Sequence, residues 1–387
     1  MLAGEFSVLY VKTAIKGRES AIRKGKDLNG KPVTPGPVAL FGSGETTPSG
    51  RRIFEQLFRS LPQAPEVAIL ETPAGFELNS PEVAGRIGEF LQARLQNYRP
   101  QIVIVPARKR GTRFSPDDPE IAAPLLSADL IFMGPGSPTY AARQLRDSLA
   151  WGYLQARHRL GAGLALASAA AVAIGAQALP VYEIYKVGEE VHWKEGLDFF
   201  RPYGLQLVFV PHWNNNDGGE ELDTSRCFMG LARFEPLMEM LPSGMTVVGI
   251  DEQTGLLVDL AAGECRVVGI GGVTVLRDRE AQEFSDGETF PASILGDYHL
   301  PDGETGLPTS AWRRAVQTAG DQREPADPPD RVQALVNARE SAREKKDWET
   351  ADALRDRIEG LGWMIKDTEE GPVLEKTWRT GERGEGK

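Results

Sequence analysis

Along the chain, short and wholly apolar runs alternate with longer stretches in which apolar residues recur every three or four positions. The short runs stand at Val38–Phe41, Val67–Leu70, Ile102–Val105, Leu130–Met133 and Leu164–Ala167. They read as strands buried on both faces, because a strand with one wet face would alternate polar and apolar residues. Between them, Ile53, Leu57 and Phe58 mark one helix face, Val83–Leu95 reads as a second helix, Pro138 opens a third and Ala169 a fourth. This alternation predicts an α/β fold with a doubly wound, mostly parallel sheet and ligands at the carboxyl ends of its strands. Later runs at Leu207–Val210, Thr246–Ile250, Leu256–Val258 and Val267–Val275 are expected to complete that sheet or add an antiparallel edge.

The pattern dissolves near residue 280. From Glu280 to Pro329 the chain is rich in Asp, Glu, Gly and Pro, which predicts a linker over 281–327 with one helix around Trp312–Gln317. Beyond Pro328 and Pro329 a helical period returns. Val332, Leu335 and Val336 mark one helix, Ala351, Leu354, Ile358 and Leu361 a second, and Gly362 is placed to end it. Trp363–Ile365 with Val373 and Leu374 then predicts a small hairpin. The expected organisation is a basic arm at 1–35, an α/β domain at 36–280, the linker, and a helical-hairpin module at 328–380.

Charge and cysteine usage narrow the function classes. A net charge of −11 over 387 residues does not suit a general nucleic-acid binder, which usually carries a basic field. The arm departs from this average with Lys12, Lys16, Arg18, Arg23, Lys24, Lys26 and Lys31, and is read as a solvated segment. Cys227 and Cys265 stand far apart without a CxxC pair, so neither a disulfide framework nor a zinc site is expected, and no metal or cofactor is called for. Reduced cysteines fit a cytoplasmic protein. No apolar run reaches membrane-spanning length, and Phe6–Val11 lacks the length and cleavage signal of an export peptide.

Three segments at expected strand ends carry candidate chemistry. Gly134–Pro138 follows a strand with two glycines, a helix-capping Ser137 and a first-turn Pro138, a turn that suits either plain strand-to-helix connection or an oxyanion site. Ser168 lies between a strand and an Ala-rich helix, where a serine is either a helix cap or a nucleophile raised on a sharp elbow beside the Ala169 N–H. His212 follows the Leu207–Val210 strand and precedes Asn214, Asn215, Asn216 and Asp217. A base there could take the serine proton, and Glu252 could orient its imidazole.

FGSGE at Phe41–Glu45, MGPGSPTYAARQL at Met133–Leu145, the Ser168 turn, PHW at Pro211–Trp213 and VVGIDEQTGLLVD at Val247–Asp259 occur in an order that resembles the cyanophycinase and dipeptidase E group. The resemblance covers roughly 36–280 and is most specific in GIDEQTGL. It implies a class I glutamine amidotransferase-like fold and serine peptidase chemistry on peptide or isopeptide bonds. Ser168 would be nucleophile, His212 base, Glu252 the orienting acid with Glu183 as rival, and the N–H groups of Gly136 and Ala169 the oxyanion hole. Gly42, Ser43, Gly44, Glu45 and Asn214 would bind a small peptide-like substrate. The family elbow, however, reads GxSAG. Here Leu166 and Ala170 replace glycines, which leaves open a working triad or a degenerate, non-catalytic site. Glutamine amidotransfer is disfavoured, since it uses cysteine at the elbow.

Arg339–Thr368, with KKDW at Lys345–Trp348 and ADALRD at Ala351–Asp356, resembles the C-terminal module of cysteinyl-tRNA synthetases. The rest of the chain lacks that enzyme's HIGH-like and KMSKS-like signatures and its zinc ligands. The module is therefore expected on a different body, as a non-synthetase chain whose tail contacts tRNA weakly at most. Arg339, Arg343, Lys345, Lys346, Arg355 and Arg357 are offset by nearby acids. Packing on the body or homo-oligomer formation through Val332, Leu335, Leu354, Ile358 and Trp363 is the expected use.

Overall fold

The computed structural model describes residues 25–26, 32–278, 280–323, 330–360, 363–368 and 371–376. Lys12, Lys16, Arg18, Arg23, Lys24, Lys31, Pro328, Pro329 and Gly362 lie outside the described residues. The chain forms two compact units, Met1–Thr318 and Ala319–Lys387.

The first unit is built on an eight-stranded sheet. Its parallel part runs, in spatial order, Val38–Phe41, Gly163–Ala167, Leu130–Met133, Glu66–Leu70 and Gln101–Val105. Thr254–Asp259, Glu264–Gly269 and Thr289–Pro291 extend it antiparallel beyond Val38–Phe41. The helices Pro48–Phe58 and Ser80–Arg94 pack on one face, where Ile53, Phe54, Leu57 and Leu91 are buried with Phe41 and Phe132. The helices Pro138–Leu145 and Leu149–Arg159 pack on the other, with Leu145 and Leu154 in the core. Four of the five apolar runs thus became strands covered on both sides, as their lack of alternation requires, while Ile102–Val105 is the half-buried edge strand.

Two of the late runs did not join this sheet. Leu207–Val210 pairs parallel with Thr246–Ile250, and Gly272–Arg277 and Glu280–Ser285 follow antiparallel, giving a separate four-stranded sheet. The run at Val267–Val275 is split, with Glu264–Gly269 in the large sheet and Gly272–Arg277 in the small one. The chain crosses between them at Ile270 and Gly271, where Gly271 N–H donates to Thr254 Oγ1 at 2.9 Å and Gly272 N–H to the Asp251 carboxylate at 2.8 Å. A second crossing connects Ile250 to Thr254. Apolar content marks a strand as buried without naming its partner, which is why the pattern could not separate the sheets.

The stretch expected to be linker is largely structured. Glu280–Ser285 and Thr289–Pro291 are edge strands, and Thr309–Arg323 is a helix that contains the expected Trp312–Gln317 segment. Phe290, Ala292, Leu295, Trp312 and Ala315 are buried in the main core. Trp312 is 1 % exposed and among the largest fully buried side chains. Charged and Gly-rich composition here reflects edge strands, whose open sides tolerate acids and gain protection from them.

In the second unit, helices Asp330–Glu344 and Trp348–Gly360 pack together and are followed by a hairpin of Trp363–Thr368 with Gly371–Lys376. The KKDW turn is explained by its backbone. Lys346 takes a left-handed φ of 59°, its N–H reaches Arg343 O, and the Asp347 carboxylate accepts the Thr350 N–H at 3.1 Å as the cap of the next helix. Val332, Val336, Ile358 and Ile365 form the unit's own core, with Leu335 and Leu374 packed against it. Val332 and Ile358, expected to serve a contact elsewhere, are consumed inside the module. Arg339, 2 % exposed, donates from both terminal nitrogens to the two Asp367 oxygens at 2.9 Å, and Arg343 adds a third bond to Asp367 at 2.5 Å. This fork ties the first helix to the hairpin.

Two outcomes follow. Trp312→Ala should destabilise the first unit by about 3–5 kcal/mol, as for a buried core aromatic, in a chemical denaturation series. A change below about 0.5 kcal/mol would restore the linker description. In the second unit, hydrogen bonds and charge from Arg339 and Arg343 hold Asp367 at about 2, against an ordinary 3.8. The unfolded chain therefore takes up the proton first. The Asp367 contribution is intact above pH 3.8 and is lost as pH falls through 2. Hydrogen exchange in 330–376 should show wild type better protected than Asp367→Asn at pH 5, with the gap closing towards pH 2.

Candidate active site

Ser168 ends the buried Gly163–Ala167 strand and precedes the helix Ala169–Ala173. Its backbone stands at φ 52° and ψ −112°, a conformation costly for a residue with a Cβ, and its side chain makes no helix-cap bond. Oγ instead lies 3.1 Å from His212 Nε2. The side chain thus serves no helix cap and points to the imidazole. The side chain of Leu166 is fully buried in the main core, and Ala170 is equally buried in the first turn of the helix.

His212 follows the Leu207–Val210 strand of the small sheet and also has a left-handed φ, 51°. Three backbone bonds hold it there. Its N–H donates to Gly42 O at 3.1 Å, and its carbonyl accepts from the N–H groups of Asn215 and Cys227, each at 3.1 Å. Gly42 ends the first strand of the large sheet, and any Cβ on it would come within 2.0 Å of Asp251 O. Next to His212, Trp213 N–H bonds Ile250 O at 3.0 Å, and its indole occupies space that a side chain at Gly249 would fill. Arg226, Cys227 and Phe228 run through three successive left-handed residues, with φ of 57°, 59° and 66°. The turn sets the Phe228 ring 5.9 Å from the His212 ring.

Glu252 sits on the crossing between Thr246–Ile250 and Thr254–Asp259, and its Oε1 lies 3.0 Å from His212 Nδ1. The same oxygen accepts from the Asn215 side-chain amide at 3.0 Å, and Asn214 Oδ1 accepts the Glu252 N–H at 2.8 Å. Asn215 is 3 % exposed and its own Oδ1 accepts the Asp217 N–H, so the amide is locked in orientation. Sequence reading named the Asn214–Asp217 run but not this contact. A polar residue three positions after a candidate base is a weak signal until the loop closes. With Nδ1–H directed at Glu252, Nε2 is left free to accept from Ser168.

Glu183 takes no part in this relay. Its Oε1 accepts from Thr139 Oγ1 at 2.5 Å, and Thr139 in turn contacts Ser137 Oγ at 3.1 Å. Ser137 caps the Pro138–Leu145 helix through the Tyr140 N–H. Glu183 thus braces the Gly134–Ser137 turn, where a negative group near a helix N-terminus is favourable. Gly136 in that turn has φ 143°, and a Cβ on it would lie 2.0 Å from Pro73 O. Neither the Gly136 nor the Ala169 N–H donates to another described residue, so both are free to meet an oxyanion.

A cleft of about 440 Å³ opens beside these groups and is lined by Gly136, Ser168, Ala169 and His212 together with Tyr185 and Phe228, among others. The five residues expected to bind substrate are not among its lining. Gly42 and Asn214 hold the His212 and Glu252 loops, Ser43 Oγ accepts the Gln253 N–H at 3.0 Å, and Gly44 O accepts from Thr47 at the start of the first helix. Glu45 is half-buried on the same turn. Their glycine-rich chemistry serves close backbone approach, which sequence cannot distinguish from ligand binding. Cys227 lines the cleft, but burial foremost, then the Glu252 charge, pushes its thiol up to about 12.

Comparison with known proteins gives two separate likenesses. The model of the cysteinyl-tRNA ligase anticodon binding domain matches residues 326–378. The cysteine–tRNA ligase of Methanosarcina mazei is 49 % identical over 49 residues, 13 % of this chain and 10 % of that protein. The cysteine–tRNA ligase of Chlamydia caviae is 50 % identical over 48 residues, 12 % of this chain and 10 % of that protein. The chain thus spans about a tenth of the length of these curated relatives. A solved peptidase from an acI-B1 actinobacterium superposes with a TM-score of 0.54 at 22 % identity, covering 67 % of this chain and 97 % of that one. At that identity the likeness establishes the fold. Among the described residues, no helix is long and apolar enough to cross a membrane.

Proposed function

We propose that the first unit is a serine hydrolase of peptide or isopeptide bonds. The observation that carries this reading is the continuous relay from Ser168 Oγ to His212 Nε2 at 3.1 Å and from His212 Nδ1 to Glu252 Oε1 at 3.0 Å. In the proposed cycle, His212 Nε2 takes the Ser168 proton as Oγ bonds to the substrate carbonyl carbon. Glu252 stabilises the resulting imidazolium without itself accepting the proton. The N–H groups of Gly136 and Ala169 receive the oxyanion. Collapse breaks the C–N bond, and the imidazolium returns its proton to the departing amine. Water, deprotonated by His212, then releases the acid and restores Ser168.

A fluorophosphonate probe on intact protein tests the nucleophile. Wild type should be labelled covalently and Ser168→Ala should not. Glu252→Gln should keep the fold and lower peptide hydrolysis on the order of 10⁴-fold, since an amide disfavours the productive imidazole tautomer. Absence of labelling in well-folded wild type would sink the proposal and favour a non-catalytic binding protein.

A second reading concerns the tail, and the family match at 326–378 favours it. We infer that this unit contacts RNA through few phosphates. Arg339, Arg343 and Arg355 lie within ion-pair distance of Asp367, whereas Lys345, Lys346 and Arg357 are exposed. Three cations would give a dependence of log K on log salt with a slope of roughly −2 to −3. Measured tRNA binding should therefore be weak at physiological salt and fall further in Lys345→Ala, Lys346→Ala and Arg357→Ala. Tight, salt-insensitive binding would contradict it.

A further inference from the structure

Ser168 and His212 account for one side of the 440 Å³ cleft, and the remainder has a chemical character of its own. Its buried lining includes Val172 and Cys227, at 1 % and 4 % exposure, and Pro211. Because its thiol keeps its proton, Cys227 contributes a neutral surface there. Tyr185 and Phe228 supply the sides, with ring centroids 5.4 Å apart.

Charge is confined to exposed residues of the lining. Outside the relay, the charged lining residues among those described are Lys186 and Asp217, and both are exposed. The Lys186 ammonium rests 4.9 Å from the centre of the Tyr185 ring. Glu183, on the same turn, engages Thr139 and is not part of the lining. Solvated rim charges contribute little to holding a ligand, whereas an unpaired charge brought against the inner surface loses its hydration. An apolar side chain gains there in proportion to the area it buries.

We propose that this part of the cleft is a subsite for an uncharged apolar or aromatic side chain next to the bond that Ser168 attacks. The substrate is then a peptide carrying such a residue at that position, in preference to an acidic or basic one. This rests on the reading of Ser168 as nucleophile. The subsite also abuts the base. Phe228 faces the His212 ring, and the neighbouring Cys227 N–H bonds His212 O. A side chain seated on Phe228 is therefore placed beside the reacting groups.

The test uses the intact protein and a peptide set in which a residue on either side of the cleaved bond is Leu, Phe, Asn, Asp or Arg. The expected kcat/KM is about 10-fold to 100-fold higher for Leu or Phe than for Asp or Arg at one of the two positions. Tyr185→Ala should reduce that ratio to a few-fold, and Tyr185→Phe should retain it. Equal or better hydrolysis of the Asp or Arg peptides at both positions overturns the inference. If wild type is neither labelled by fluorophosphonate nor active, the catalytic reading fails separately. Peptide binding to Ser168→Ala protein, followed by calorimetry, then decides this subsite. Tighter binding of the Leu and Phe peptides supports it, and equal or tighter binding of the charged peptides overturns it.

Discussion

The candidate site depends on one close backbone approach, at Gly42. This residue leaves the first strand of the large sheet, donates its N–H to Thr254 O at 2.8 Å and accepts the His212 N–H at 3.1 Å. Thr254 begins the strand that follows Glu252, and His212 follows a strand of the small sheet. Gly42 therefore bonds both the large-sheet strand that follows Glu252 and, through its carbonyl, the loop that carries His212 off the small sheet. Space around it is so restricted that a Cβ would collide with Asp251 O at 2.0 Å. Together with the two chain crossings, that approach sets the separation of Ser168 on one sheet and His212 on the other, which a relay at hydrogen-bond distance needs.

Holding the parts together in this way concentrates strain. Ser168, His212, Arg226, Cys227, Phe228 and Gln253 all adopt positive φ, and they cluster on the turns around the relay. Each such residue costs on the order of 1–3 kcal/mol and persists where surrounding bonds over-determine it. Those bonds are visible: the His212 carbonyl takes two N–H donors, and the Arg226 guanidinium lies 3.9 Å from the Trp213 ring centre and bonds Trp213 O. Asn215 completes the arrangement by sharing Glu252 Oε1 with the imidazole. A buried amide that has both ends bonded limits the rotation of the carboxylate it touches.

The second unit obeys a different economy. Among the described residues, its apolar core centres on Val332, Val336, Ile358 and Ile365. The Arg339–Asp367 fork adds to it by joining helix and hairpin through parallel charge-assisted bonds. That use of arginine also bears on partners. A guanidinium committed to an internal carboxylate has less to offer a phosphate, so counting basic residues overstates the positive surface of the module.

The sequence by itself determined the strand and helix content of the α/β body, the candidate Ser168, His212 and Glu252, and the hairpin tail with its KKDW turn. These rest on local physics: continuous burial for strands, helical spacing for faces, and turn chemistry at glycines and at Asp347. Tertiary structure alone decided that Leu207–Val210 and Thr246–Ile250 leave the main sheet, because strand pairing is not encoded in the apolar content of either strand. It decided that Glu252 rather than Glu183 meets His212, a choice between two acids that only distance can make. It decided that Phe41–Glu45 braces loops while Tyr185 and Phe228 line the cleft, and that Trp312 belongs to the core. In each case the deciding contact joins residues remote in sequence, and no local pattern carries that information.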